Sequence, residues 1–190
     1  MIFWTIQNKA VLEQLKTNGI YFPDFSQSGY LAENNKLAPL YSHILHAMNT
    51  INSVSVSEQT GKGVVFCFSG FDQQNNQSLE TIDQFVTFIR NNHAPIESLW
   101  KHLTSNPDNV LLQVNFDEMF FNPLLIDIND FQYLMPPVLT FPPFGENDER
   151  EIKAAIAMGQ YHEPTFPSNI VQAHLPYLQA DDIVKYYELS

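Results

Sequence analysis

Apolar residues recur along this chain in two rhythms, and each rhythm predicts a different kind of element. The opening run Ile2-Phe3-Trp4-Thr5-Ile6 is β-branched and aromatic, which suits a strand. Asn8 then offers a capping oxygen to a helix whose Val11, Leu12 and Leu15 share one face, and Gly19 supplies the stop. From Leu37 the apolar positions are Leu37, Leu40, Tyr41, Ile44, Leu45 and Met48, the spacing of an amphipathic helix. Pro39 falls in its first turn, where a missing N–H costs nothing. After a polar stretch from Thr50 to Lys62, the continuous run Val64-Val65-Phe66-Cys67-Phe68 has the length of a strand buried on both faces.

The second half alternates in the same way. Asp72 to Gln77 reads as a polar turn, with Ser78 as the N-cap of a helix carrying Leu79, Ile82, Phe85, Val86 and Ile89. Pro95 begins a short helix that turns Leu99, Trp100 and Leu103 inward. Val110 to Val114 is a strand and Leu124 to Ile128 another, in which Asp127 requires solvent or a hydrogen-bonding partner. The segment Pro136 to Phe144 contains four prolines, which exclude a helix or a central strand and leave a loop packed on the core, a lid or a partner-binding edge. Glu146 to Glu149 set carboxylates at the positive end of a helix with Ile152, Ala155 and Ile156, and Gly159 ends it. Ile170 to Leu175 and Ile183 to Leu189 read as two strands about an Asp181-Asp182 turn, with Val171, Ala173 and Leu175 inward. These elements predict one mixed α/β domain over residues 1–190, a central mixed or antiparallel sheet flanked by about five helices.

Composition narrows the function. A chain of 190 residues, 44% hydrophobic, buries roughly 70% of its unfolded surface around one core. Its formal charge of −12 repels a phosphate backbone or an anionic bilayer, and no Lys or Arg stands between Lys101 and Arg150, so neither nucleic acid nor membrane is expected as a partner. The apolar start lacks the basic flank and cleavage site of a targeting signal and reads as mature structure. Cys67 is the single cysteine, set among apolar neighbours, which suits a buried thiol and a reducing, cytoplasmic setting.

Motifs that would carry chemistry are few. His43 and His46 stand three apart on a helix, opposite its apolar stripe, and read as a solvated face; no metal is expected. There is no nucleophile elbow, phosphate-cradling loop or calcium loop, and Asp117-Glu118 reads as solvated surface.

Two resemblances carry further expectations. Trp4-Thr5-Ile6-Gln7, a short helix, Gly19, and the late strands Val171-Gln172-Ala173-His174-Leu175-Pro176 and Asp182-Ile183-Val184 resemble a bacterial family whose domain is of unknown function. That resemblance covers nearly the whole chain and implies a fold without naming a reaction. The order Phe3-Trp4-Thr5, Gly19, Gln172 and Ile183 is also similar to small ADP-ribosyltransferase-like folds, with Trp4 where those carry His or Arg and Gln172 where they carry Glu. It implies NAD as a ligand, held in a nucleotide-type cleft between the first and penultimate strands by Trp4, Thr5, Tyr30, Tyr41 and Gln172. On this reading the two strands are sheet neighbours, and Trp4, Thr5 and Gln172 line one concavity. The rival reading gives those residues to structure and makes the protein a noncatalytic, acidic interaction or adaptor domain.

Overall fold

The structure, a computed structural model, describes residues 1–27, 38–52, 62–92, 96–119, 121–134, 146–165 and 167–189. Tyr30, Leu37, Pro95 and the whole Pro136–Phe144 segment lie outside these residues.

Strand β1 (Ile2–Asn8) runs straight into helix α1 (Lys9–Asn18), because the Asn8 side chain accepts from the Ala10 amide at 2.9 Å and turns the chain out of the sheet. Gly19, at φ 74°, closes α1 with its N–H on the Leu15 carbonyl and feeds the short β2 (Ile20–Tyr21). Helix α2 (Ala38–Asn52) follows, then β3 (Val65–Ser69) and a tight hairpin of β4 (Phe71–Asp72) and β5 (Gln77–Ser78). Next come α3 (Ile82–Asn92), α4 (Glu97–Ser105), β6 (Asn109–Asn115) and β7 (Leu124–Asp127). The one-turn α5 (Ile128–Phe131), α6 (Glu146–Ala157), β8 (Val171–Leu175), β9 (Leu178–Gln179) and β10 (Ile183–Glu188) complete the described elements.

Six strands form one antiparallel sheet in the order β10-β6-β1-β3-β8-β7, while β2 pairs with β9 apart from it. Both faces are covered. On one, Trp4, Ile6, Phe68, Leu111 and Ile126 pack against helices α2, α3 and α6 through residues such as Ile44, Phe85 and Ile156. On the other, Phe3, Val65, Cys67, Leu112 and Ala173 pack against Val11, Leu12 and Leu15 of α1 and against Tyr177 and Leu178. A sheet sandwiched in this way needs apolar side chains at successive positions, which is why its strands read as continuous runs.

Several expectations change. Ser78 belongs to β5 and does not cap a helix; α3 starts later, where Thr81 Oγ1 accepts from the Gln84 amide at 3.3 Å and Gln84 Oε1 accepts from the Thr81 amide at 3.0 Å, a reciprocal capping box. The strand expected to reach Ile128 stops at Asp127, whose Oδ1 caps α5 through the Asn129 amide at 2.9 Å. β8 and β10 are not partners: β8 lies between β3 and β7, β10 lies on β6, and the Pro176–Asp182 connection carries the chain across the sheet. β1 and β8 are not neighbours either, since β3 stands between them. Alternation along β8 gave one inward side, Val171, Ala173 and Leu175; in fact Gln172 and His174 are buried on the opposite face. His43 is half-buried near Lys153 of α6, while His46 stays exposed.

Candidate functional site

β1 pairs with β6 along its full length, from Ile2↔Asn115 to Asn8↔Asn109, yet with β3 only at Phe3↔Ser69 and Trp4↔Phe68. Beyond Trp4 the two strands part. The Thr5 hydroxyl bridges the opening by donating to the Phe66 carbonyl at 2.7 Å, and Gln7 Nε2 donates in turn to Thr5 Oγ1 at 2.7 Å. A side-chain bond thus replaces a ladder bond and sets the width of the gap.

The wedge leads to a cavity of about 660 Å³. That lies within the roughly 300–1,000 Å³ of small-molecule sites. Ile6 and Gln7 line it from β1, Phe66 and Phe68 from β3, Val11 and Gln14 from α1, and Leu40 and Tyr41 from α2. The segment after β2 contributes Phe22 and Phe25, and Gln172 reaches it from β8. Aromatic rings follow one another along one side: Phe25 and Tyr41 have centroids 4.6 Å apart, Tyr41 and Phe66 5.3 Å, Phe66 and Phe131 6.5 Å.

Charge is sparse in this lining. Lys62 and His102, both exposed, are its basic residues. Asp24 is its single carboxylate among the described residues, held below the usual carboxylate range by the Ser26 hydroxyl and amide, with Lys62 adding in the same sense. Cys67 also lines the cavity, but burial pushes its thiol up to about 12, so it stays protonated and unreactive at neutral pH. No group of three His, Cys, Asp or Glu among the described residues is placed to hold a metal ion.

The expected site residues separate. Trp4 is fully buried, stacked on Phe85 at 4.7 Å, with its indole N–H donated to the Leu79 carbonyl at 2.9 Å. Thr5 is fully buried on the opposite face and committed to Phe66. Neither lines the cavity. Gln172 and Tyr41 do, and Tyr30 lies outside the described residues. The sequence reading missed Phe25, Phe66 and Phe131, because rings in apolar runs carry no local mark separating those that face a cavity from those that fill a core.

Gly63 holds the roof. A Cβ there would stand 2.7 Å from the Pro23 carbonyl oxygen and 2.8 Å from its carbon, and Phe25 N donates to the neighbouring Lys62 carbonyl at 3.0 Å. Gly63→Ala is expected to force the Pro23–Phe25 segment away and to cost about 1–3 kcal/mol of stability, measured by urea unfolding.

No protein-family model, curated protein or solved structure matches this chain. Among the described residues, no helix is long and apolar enough to cross a membrane.

Proposed function

We propose that the protein is a noncatalytic binding module that takes a small, nucleoside-like organic ligand into the wedge between β1 and β3. The observation that carries this reading is the cavity of about 660 Å³, lined by aromatic rings and by the buried amide of Gln172. NAD is the ligand that the ADP-ribosyltransferase likeness implies. Transfer from NAD needs a group that stabilises the oxocarbenium-like state. The one carboxylate described in the lining, Asp24, accepts from the Ser26 hydroxyl at 2.6 Å and from its amide at 2.9 Å, an arrangement that favours binding over turnover.

A neutral fluorescent dye, N-phenyl-1-naphthylamine, tests the cavity. Its emission should rise with the native protein and fall back with Gln14→Trp, which fills the mouth from an exposed position on α1. Equal emission from both proteins sinks the proposal. Incubation with NAD should release no nicotinamide by chromatography, and release that Gln172→Ala abolishes would make the protein an enzyme.

One feature favours the rival reading of an interaction domain. β10 is an edge strand of the sheet, with Val184 56% and Tyr186 48% exposed, and edge strands of this kind accept a further strand from a partner.

A further inference from the structure

Directly paired residues on adjacent strands share a face, so the registers Gln113↔Trp4, Trp4↔Phe68, Phe68↔Gln172 and Gln172↔Ile126 lay five side chains in one row across the sheet. Three of them are polar or carry a polar atom. Trp4 gives its indole N–H to the Leu79 carbonyl at 2.9 Å, and Gln113 gives Nε2 to the Glu80 carbonyl at 2.7 Å. The backbone leading into α3 therefore satisfies both. Gln172 has no such neighbour: its side chain is 4% exposed, its Oε1 is sealed from solvent, and no hydrogen bond reaches the amide among the described residues.

A buried amide without partners is costly, because the groups it leaves unpaired have lost water and gained nothing. Here Gln172 lines a cavity whose wall also includes Phe66 and Phe131. With Oε1 sealed, the amide's Nε2–H is the group left to meet a ligand, and its complement is an acceptor on a flat ring, such as a ring nitrogen of adenine or the carbonyl of an aromatic carboxamide. Flat rings on the ligand would match the aromatic lining.

Phosphate fits poorly. Lys62 is exposed and paired electrostatically with Asp24, His102 is exposed, and the chain as a whole carries −12.

Building on the proposed binding role, we infer that Gln172 is the recognition residue of the cavity, and that the ligand is a neutral, planar heteroaromatic with a hydrogen-bond acceptor on its rim. The ligand is of the nucleobase or aromatic-carboxamide class and is unphosphorylated.

The test uses displacement of N-phenyl-1-naphthylamine by adenosine, nicotinamide and AMP from the native protein and from Gln172→Leu. Adenosine or nicotinamide should displace the dye from the native protein. The Gln172→Leu change should leave dye binding in place while weakening the displacing compound by about fivefold, the size expected for one amide hydrogen bond. Its unfolding midpoint should rise, since a hydrocarbon replaces an unpaired amide; a purely structural Gln172 would lower it. AMP should bind at least about tenfold more weakly than adenosine, because Lys62 already faces Asp24 and the chain as a whole is acidic. Failure of both adenosine and nicotinamide to displace a bound dye, an unchanged affinity in Gln172→Leu, or AMP binding as well as adenosine overturns the inference while the cavity reading stands. Absence of dye binding removes both.

Discussion

Lowering the pH from 6.5 to 4 is expected to cost the native protein about 3 kcal/mol more than it costs His174→Leu, given a histidine pKa that falls from 6.5 to about 4 on folding. The cause is burial. His174 is fully enclosed, its Nδ1 donates to the Leu124 carbonyl at 3.1 Å, and its ring lies between Phe131, nearly parallel at 5.7 Å, and Phe66, edge-on at 5.0 Å. Nε2 has no hydrogen-bond partner among the described residues, so a second proton would add charge to an apolar site. The sign follows from proton counts. Between pH 4 and 6.5 the unfolded chain binds the proton and the folded one does not, so stability rises with pH across this window. The contribution is fully present above about pH 6.5 and is lost as pH falls towards 4. Urea unfolding at half-unit pH intervals checks it. Carboxylates elsewhere act in both proteins and cancel in the difference, so parallel curves for native and His174→Leu would refute this account.

The second large effect is expected at Asp130. This residue is fully buried, and its Oδ2 accepts from the Tyr161 hydroxyl at 2.9 Å and from the Thr165 amide at 2.8 Å. Nearby Asp127, 3% exposed, accepts from the Asn129 amide at 2.9 Å and the Ser168 amide at 2.7 Å, while its own N–H reaches the Tyr161 hydroxyl at 3.1 Å. Two carboxylates thus tie the segment from Tyr161 to Ser168 onto the end of β7, and Ile128 N adds a bond to the Ile170 carbonyl at 3.0 Å just before β8 begins. Asp130→Ala would strand two donors at once. At about 1–3 kcal/mol for a stranded buried group, and less for the amide of the exposed Thr165, the loss should be about 2–4 kcal/mol. Asp130→Asn retains an acceptor and should lose less. Hydrogen exchange should quicken first at the Thr165 and Ser168 amides, and unchanged protection there in Asp130→Ala would mean that the segment is held by something else. Because this anchor leads into β8, its loss should also weaken ligand binding at Gln172.

Local patterns along the chain carried most of the elements. The Asn8 cap, the Val11-Leu12-Leu15 face and the Gly19 stop are contained in a dozen consecutive residues, and each acts through neighbours within one helical turn. The same is true of the α2 stripe, the apolar run of β3 and the α6 helix that ends before Gly159, whose φ is 66°. Ser78 misled because a hydroxyl before an apolar stripe is also satisfied by a hairpin, and the reciprocal Thr81–Gln84 bonds begin the helix further along.

The sequence by itself determined most of the longer strands and helices, the burial of Cys67, and the need of Asp127 for a partner, since these follow from side-chain chemistry and short-range spacing. Tertiary structure alone decided that β3 inserts between β1 and β8, that β1 and β3 separate after two paired residues, and that Gln172, rather than Trp4 or Thr5, carries a buried polar atom without a partner among the described residues. The physical reason is that strand order and cavity walls arise from contacts between residues dozens of positions apart. An amide in an alternating strand looks the same whether a carbonyl awaits it, as for Gln113, or a hollow does, as for Gln172.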